Sequence, residues 1–288
     1  MTHTQIHRSK WQRAALVLLL GSMVQTAFAA VINVSAQDNL NDALARAQAG
    51  DTLKLASGTY KTKLYIDKPI TIEGPADRSA KIVGDRSGRT IAVHAPDVTL
   101  RNLTVSNSGL SLPAMDAGIY LDETAPRALV EHNNVLDNSV GVYIHGAAES
   151  MVRENKIVGE ATLRVNERGN GVTVWNAPGA QVVDNDISKG RDGIFSNTST
   201  NNTYKGNRFS DLRFAVHYMY TNDSEVSNNI SVGNNMGYVL MFSERLKVYG
   251  NIAVGSRDQG IMLNYVNYSD INDNIINKAG KCVFAYNA

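Results

Sequence analysis

The stretch that decides the fold runs from Gly193 to Leu240 and reads GIFSNTSTNNTYKGNRFSDLRFAVHYMYTNDSEVSNNISVGNNMGYVL. Three short apolar runs, GIFS, AVHY and GYVL, begin in it at positions 193, 215 and 237, which are 22 residues apart. Gly, Asn, Asp and Ser separate these runs, and no apolar pattern of helical period accompanies them. A fixed period of this length is typical of a repeat protein built from short strands.

The same landmarks extend beyond this stretch in both directions. Further runs begin at 118 (GIYL), 141 (GVYI), 171 (GVTV) and 260 (GIML), so successive starts are 23, 30, 22, 22, 22 and 23 residues apart. An asparagine recurs with spacings of 22, 30, 22, 22, 22 and 23 residues, at Asn133, Asn155, Asn185, Asn207, Asn229, Asn251 and Asn274. Both series share one long interval, which contains the insertion ATLRVNERGN. Two series with one common irregularity indicate coils of about 22 residues.

These coils predict an all-β protein, a right-handed parallel β-helix. Each coil is too small to bury its apolar side chains alone, so neighbouring coils must bury them jointly. Stacked coils lie about 4.8 Å apart. At that spacing the side-chain amides of equivalent asparagines can bond up and down the stack, as amide ladders do in cross-β structures. The asparagines are therefore predicted to form a structural ladder and not a metal or sugar site.

Three segments are expected along the chain. Residues 1–29 combine early positive charges, an apolar run and a small-residue cleavage site, which is typical of a cleavable signal peptide. Residues 30–117 are expected to form an N-terminal cap, with a short helix from Leu40 to Ala49, and the first, irregular coils. Residues 118–288 hold the regular coils. The chain stops at KCVFAYNA just as another coil begins, so we expect either that a partner covers this end or that the chain is a truncated member of a longer family.

The charge balance argues against nucleic-acid binding, and the cysteine content excludes an internal disulfide. Removing residues 1–29 removes Arg8, Lys10 and Arg13, so 28 Lys and Arg against 27 Asp and Glu become 25 against 27. A chain this close to neutral has no electrostatic footprint for nucleic acid. Cys282 is the single cysteine, so an internal disulfide cannot stabilise the exported chain.

Strand alternation sorts each apolar run into inward and outward side chains. The more uniformly apolar set is predicted to point inward and comprises Ile119, Leu121, Val142, Ile144, Val172, Val174, Val216, Tyr218, Tyr238, Leu240, Ile261 and Leu263. The first outward column is Tyr120, Tyr143, Thr173, Phe195, His217, Val239 and Met262. The second outward column is Asp122, His145, Trp175, Asn197, Met219, Met241 and Asn264.

Four soft donors fall close together on this outward face. Met219 and Met241 occupy equivalent positions of adjacent coils, His217 lies two residues from Met219, and Met262 lies two coils beyond His217. Thioether sulfur and imidazole nitrogen suit Cu(I), whereas hard cations prefer carboxylates. The four residues are candidate Cu(I) ligands. A second interpretation is packing or contact with a protein partner, because methionine also serves as an adaptable apolar side chain.

Carbohydrate chemistry is the alternative function, because parallel β-helices are often polysaccharide lyases, hydrolases or epimerases. Glycoside hydrolysis needs two carboxylates about 5 to 10 Å apart. The acidic residues here, Asp192 and Asp223 among them, fall mainly in turns, and the chain has neither Gly-His-Gly nor Asp-Pro-His. We therefore expect no enzymatic activity. His145 and Trp175 are the candidate platform if the chain is instead a carbohydrate-active protein or a sugar-binding module.

The segment from Arg191 to Asn229, followed by GYVLMFSERLKVYGN and GIML, resembles the NosD family. That family consists of periplasmic maturation proteins for the copper enzyme nitrous oxide reductase. The N-terminal AQAGDTLKL and ASGTY also fit, although many β-helix proteins share such segments. The LRFAVHYMY and LMFS segments are more specific to the family.

The resemblance implies a non-enzymatic role in the periplasm. Proteins of this family act with an ABC transporter, made of an ATPase and a membrane subunit, and with a copper-chaperone lipoprotein. Together they supply copper for the copper centres of nitrous oxide reductase. On this basis the face formed by His217, Met219, Met241 and Met262 is where Cu(I) transfer, or docking of a copper carrier, is expected.

Overall fold

Parallel strands wind into a right-handed solenoid, with three sheets running along its length. The structure, a computed structural model, describes residues 29–287, so the predicted signal peptide lies almost entirely outside the described residues. From Thr52 onward each coil contributes a strand to each sheet in turn, and each strand pairs in parallel with its equivalents in the neighbouring coils. The predicted parallel β-helix is confirmed.

The sheets are named I to III. Sheet I has ten strands: Leu64–Ile66, Ile91–Val93, Ala117–Leu121, Val140–His145, Val172–Trp175, Asp192–Thr200, Phe214–Asn222, Met236–Glu244, Gln259–Asn267 and Lys281–Tyr286. Sheet II has eleven: Val31–Val34, Thr52–Leu55, Thr71–Glu73, Thr99–Arg101, Leu129–Glu131, Met151–Arg153, Gln181–Val183, Thr203–Lys205, Glu225–Ser227, Lys247–Tyr249 and Asp270–Asn272. Sheet III has ten: Gly58–Lys61, Ala80–Val83, Leu103–Ser106, Asn134–Asn138, Lys156–Gly159, Asp186–Ser188, Arg208–Ser210, Ile230–Val232, Ile252–Val254 and Ile275–Asn277.

A stack of asparagines joins the coils between sheets II and III. The backbone N–H and the Nδ2 of Asn155 both donate to Oδ1 of Asn185, each at 3.0 Å, and Nδ2 also donates to the Val130 carbonyl at 2.9 Å. The repeating bonds to the next asparagine's Oδ1 run through Asn133, Asn155, Asn185, Asn207, Asn229, Asn251 and Asn274. These amides satisfy buried backbone groups at a corner where no ladder bond is available.

The N-terminal helix is shorter than the pattern predicted. It spans Leu40–Arg46, because Ala47 already has an extended conformation with ψ of 145°. Asn39 caps its start, where the side chain accepts from the backbone of the first turn. The Nζ of Lys68 donates to the carbonyls of Leu44, Ala45 and Ala47 at 3.1, 3.0 and 2.9 Å. The lysine therefore takes up the unpaired carbonyls that any helix leaves at its C-terminus.

The core fills the inside of the solenoid with aliphatic side chains, and all the predicted inward residues of sheet I are buried. Polar groups join these side chains in the interior beneath the strands that carry His217, Met219 and Met241. The hydroxyl of Tyr204 donates to Ser196 Oγ at 2.9 Å and accepts from Asn202 Nδ2 at 3.1 Å. Tyr218 packs edge-on against Tyr204, with the ring centroids 5.4 Å apart, but its buried hydroxyl has no hydrogen-bond partner within residues 29–287.

A corner near the C-terminal ends of the sheet I strands, and inside the longer ones, needs a left-handed backbone in successive coils. Gly146 and Asn176 meet this need with φ of 74° and 48°, and both residue types adopt it readily. Tyr220, Phe242 and Tyr265 occupy the same corner with φ of 52°, 49° and 51°. Their rings stack, with centroids 5.3 Å apart for each neighbouring pair. Ring stacking therefore offsets part of the backbone strain.

Candidate copper face

Strand register places the predicted soft donors on the outer surface of sheet I. Met219 is the register partner of Met241, and His217 is that of Val239, which in turn pairs with Met262. The face therefore has a methionine pair on adjacent strands, with the histidine two residues away. Met262 is separated from His217 by the intervening Val239. The structure brings His217, Met219 and Met241 into one neighbourhood and sets Met262 at its margin.

His217 is buried, although the alternation pattern placed it on the outside. Only 8% of its surface is exposed. The ring of Phe195 lies 5.0 Å away on the preceding strand, and Phe214 meets the imidazole edge-on at 5.2 Å. Tyr120, Thr173 and Val239 of the same column are buried as well. Strand alternation predicts on which side of the sheet a side chain lies, but the neighbouring side chains determine how much of it is exposed to solvent.

Asp192 is the partner of His217 that sequence reasoning missed. The sequence pattern places Asp192 in a turn, but in the structure it is the first residue of the strand Asp192–Thr200, with 1% of its surface exposed. Its carboxylate lies 3.0 Å from His217 Nδ1 and accepts two bonds from Arg213 at 2.8 and 2.6 Å. Burial alone raises the pKa of Asp192, but hydrogen bonds from His217 and Arg213 and the arginine charge outweigh it. The pKa of Asp192 therefore lies below its ordinary value.

This carboxylate selects the tautomer of His217. An ionised carboxylate only accepts hydrogen bonds, so Nδ1 of His217 carries the proton that faces Asp192. In the neutral ring, Nε2 then holds the free lone pair, and it has no hydrogen bond to any residue of the described chain. Metal-binding histidines commonly donate their second nitrogen to a carboxylate in this way, which fixes the ring.

The sulfur-bearing side chains are more open than the histidine. Met219, Met241 and Met262 are all half-buried. Within residues 29–287 no group of three or more His, Cys, Asp or Glu side chains is arranged to hold a metal ion. A metal on this face would therefore depend on thioether donors together with the imidazole, which is a soft donor set.

Sheet I also carries a row of stacked rings nearer the N-terminus. His145 and Trp175 stack with centroids 4.5 Å apart and an interplanar angle of 17°, and Tyr65 stacks on His94 at the same separation. One face of Trp175 is therefore covered by His145. The indole of Trp175 remains 38% exposed, so the sugar-platform interpretation of the pair stays a prediction.

Solved structures with a similar fold include enzymes that act on polysaccharides. An alginate lyase from Paenibacillus has a TM-score of 0.60 at 15% identity, covering 88% of this chain and 99% of the lyase. The A-module of a mannuronan C-5 epimerase from Azotobacter vinelandii has a TM-score of 0.57 at 11% identity, covering 85% of this chain and 90% of the module. Identities this low show the shared β-helix fold alone.

Relatives found by sequence belong to a different class of protein from these structural neighbours. Residues 153–288 match a family model described as "NosD: Periplasmic copper-binding protein". Two curated relatives, each named "Probable ABC transporter binding protein NosD", come from Stutzerimonas stutzeri and Pseudomonas aeruginosa. The first is 31% identical over 82% of this chain and the second 30% identical over 84%.

The match accounts for only part of each relative. The chain spans 57% of the first relative's length and 60% of the second's. The helices described between residues 29 and 287 include none that is long and apolar enough to cross a membrane. With a family model over residues 153–288 and curated relatives over most of its length, the chain is a NosD-like protein.

Proposed function

We propose that this chain is a non-enzymatic accessory protein that binds Cu(I) as cargo and passes it on. Its destination would be the copper centres of nitrous oxide reductase. The observation that carries the proposal is the His217 ring, which Asp192 orients through Nδ1, two residues from Met219 and its register partner Met241. The description of the family model as a copper-binding protein supports the same conclusion.

The donor set favours Cu(I) over harder ions. Thioethers and a neutral imidazole are ligands that Cu(I) accepts, whereas Mg²⁺ and Ca²⁺ require oxygen ligands. Asp192, the carboxylate nearest to His217, already accepts bonds from Arg213 and His217. The half-buried methionines give a carrier protein access to the metal, which an exchange of cargo requires.

The remaining parts of the proposal concern location and partners. The relatives' names support association with an ABC transporter, which would comprise an ATPase and a membrane subunit. A copper-chaperone lipoprotein would deliver the metal, and nitrous oxide reductase would receive it. Cleavage of residues 1–29 on export would place the chain in the periplasm, where the family model locates its members.

A competition titration tests the binding step. Purified residues 30–288 are titrated with Cu(I) against a chromophoric Cu(I) chelator under reducing conditions. Met219→Leu combined with Met241→Leu conserves volume and removes both sulfurs, so we expect a loss of affinity of at least about tenfold. Met151→Leu is the matched control, since Met151 is also half-buried but lies on sheet II. Equal affinity of the double variant and the control would reject the proposed ligands.

A further inference from the structure

Arg213 holds two of the side chains that surround the His217 ring. Its Nε and Nη2 donate to the two carboxylate oxygens of Asp192 at 2.8 and 2.6 Å. Its guanidinium carbon also lies 4.3 Å from the centroid of the Phe214 ring. Both of these neighbours contact His217: the carboxylate lies 3.0 Å from Nδ1, and the phenyl ring meets the imidazole edge-on with centroids 5.2 Å apart. The four side chains therefore form a closed set of contacts.

The planar fork of Arg213 fixes the direction of the Asp192 carboxylate. Each carboxylate oxygen accepts one bond from the same guanidinium, so the carboxylate cannot turn without breaking both bonds. Oδ2 is the oxygen that also faces Nδ1 of His217, and the fork therefore holds it toward the imidazole. Asp192 has 1% of its surface exposed, so bulk water has little access to these oxygens.

The second contact of Arg213 restrains the plane of the His217 ring. A guanidinium stacks favourably on an aromatic face, and here it lies over Phe214. The Phe214 ring in turn meets the imidazole at an interplanar angle of 86°. One cation therefore anchors both the hydrogen-bond partner and a packing partner of the histidine.

The coils on both sides fix the backbone of Arg213. Its N–H donates to the Arg191 carbonyl at 2.7 Å, and its carbonyl accepts from the N–H of Met236 at 2.9 Å. Arg191 lies at the equivalent position one coil earlier, but its buried Nε has no hydrogen-bond partner within residues 29–287. Pairing with a buried carboxylate is therefore a property of Arg213 and not of every arginine at this corner.

We propose that Arg213 is a positioning residue, which sets the orientation and the tautomer of His217 without touching the metal. This role rests on the proposed function, because it concerns the imidazole that would hold Cu(I). Groups behind a metal-binding histidine commonly set its orientation, and their loss lowers metal affinity about 10- to 100-fold. Lysine could replace an arginine that only neutralises the Asp192 charge, but it lacks the planar fork that positioning needs.

Arg213→Lys separates these two roles, because it keeps the charge and removes the fork. ¹⁵N NMR of the metal-free chain, residues 30–288, reports which ring nitrogen of His217 carries the proton. We expect a single Nδ1–H form in the unchanged chain and a mixture of the two tautomers in Arg213→Lys. The Cu(I) affinity of this variant should fall at least about tenfold. Arg127→Lys is the matched control, since Arg127 also donates two bonds to one carboxylate, that of Asp97, and it should change neither property.

The two measurements separate this role from the proposed function. A single Nδ1–H form in Arg213→Lys would overturn the positioning role, and so would a Cu(I) affinity equal to that of Arg127→Lys. If the unchanged chain bound no Cu(I), the proposed function would fail, while a mixture of tautomers in Arg213→Lys would still show that the fork positions His217. Thermal unfolding of each variant followed by circular dichroism shows that a changed tautomer does not come from loss of the fold.

Discussion

Met219 and Met241 are register partners on adjacent parallel strands of sheet I. The backbones of the two residues therefore lie about 4.8 Å apart. The nearest histidine on this face, His217, is oriented by the buried Asp192 carboxylate. Neither methionine fills the interior, because the inward positions beside them belong to Tyr218 and Leu240. The pair is therefore a surface feature that core packing does not explain.

Removing one rung of the asparagine stack should destabilise the whole solenoid. Oδ1 of Asn207 accepts from the backbone N–H and the Nδ2 of Asn185, and its own Nδ2 donates to the Val182 carbonyl at 2.8 Å. Asn207→Ala leaves these buried groups unpaired, so we expect the free energy of unfolding to fall by about 3 kcal/mol. Urea unfolding measures it. Asn272→Ala is the control, since Asn272 is exposed and its side chain makes no hydrogen bond in the described chain; equal losses in both variants would contradict the ladder.

Two buried tyrosines of the core should respond in opposite directions to the same change. Tyr218→Phe removes a hydroxyl that has no partner in residues 29–287, so stability should rise by about 1 kcal/mol. Tyr204→Phe removes a hydroxyl that bonds Ser196 and Asn202, so stability should fall by about 1 to 2 kcal/mol. Urea unfolding of the two variants side by side gives the comparison, and a loss in Tyr218→Phe would show that its hydroxyl is satisfied.

The Asp192 carboxylate should make stability depend on pH. Its pKa is lower in the folded protein than the value of about 4 expected for an unfolded aspartate. The stabilisation is therefore present above that value and is lost as the pH falls through the folded pKa. Asp192→Asn should reduce stability at pH 7 by about 3 kcal/mol, because it leaves the Arg213 charge without its carboxylate. It should also flatten the loss of stability in acid.

Asp97→Asn is the matched control for that experiment. Asp97 also accepts two bonds from an arginine, Arg127, but both side chains are largely exposed. Solvent screening leaves such pairs with little effect on stability. Unfolding followed at neutral and acidic pH should separate the two variants, and parallel pH profiles for Asp192→Asn and the unchanged chain would show that the buried carboxylate is not linked to folding.

Tyr220 and Phe242, which stack at the left-handed corner, should contribute unequally to the stability of the fold. Asn176 shows that asparagine fits this left-handed corner. Tyr220→Asn exchanges one stacked pair for relief of backbone strain, so we expect a net change within about 1 kcal/mol. Phe242→Asn loses stacks on both sides and should be more destabilising. Thermal unfolding of the two variants tests the order, and a larger loss for Tyr220→Asn would contradict it.

The repeat made most of the fold predictable. Because each coil returns the chain to the same place, the spacing of Asn207 and Asn229 carries information about contacts in space as well as along the sequence. The same regularity predicts the register of Met219 with Met241 that the structure shows. A fold without such a repeat offers no comparable route from sequence spacing to pairs of contacting residues.

The chemistry around His217 could not be obtained in that way. Asp192 lies at the start of a strand one coil earlier, where neither periodicity nor motif marks it as a partner. The signal that could have found it is the pairing of Asp192 with Arg213, since the two residues are 21 positions apart, or nearly one coil. The end of the helix is hard to predict for a related reason, because the Lys68 ammonium that satisfies its carbonyls is distant in sequence.

X-ray absorption at the copper edge tests the central claim most directly. Residues 30–288 loaded with one equivalent of Cu(I) should show sulfur scatterers together with one imidazole nitrogen, which is the pattern expected for thioether and histidine ligands. In Met219→Leu combined with Met241→Leu the sulfur contribution should disappear. A spectrum of the unchanged chain that contains only nitrogen and oxygen scatterers would contradict the claim that His217, Met219 and Met241 hold the copper.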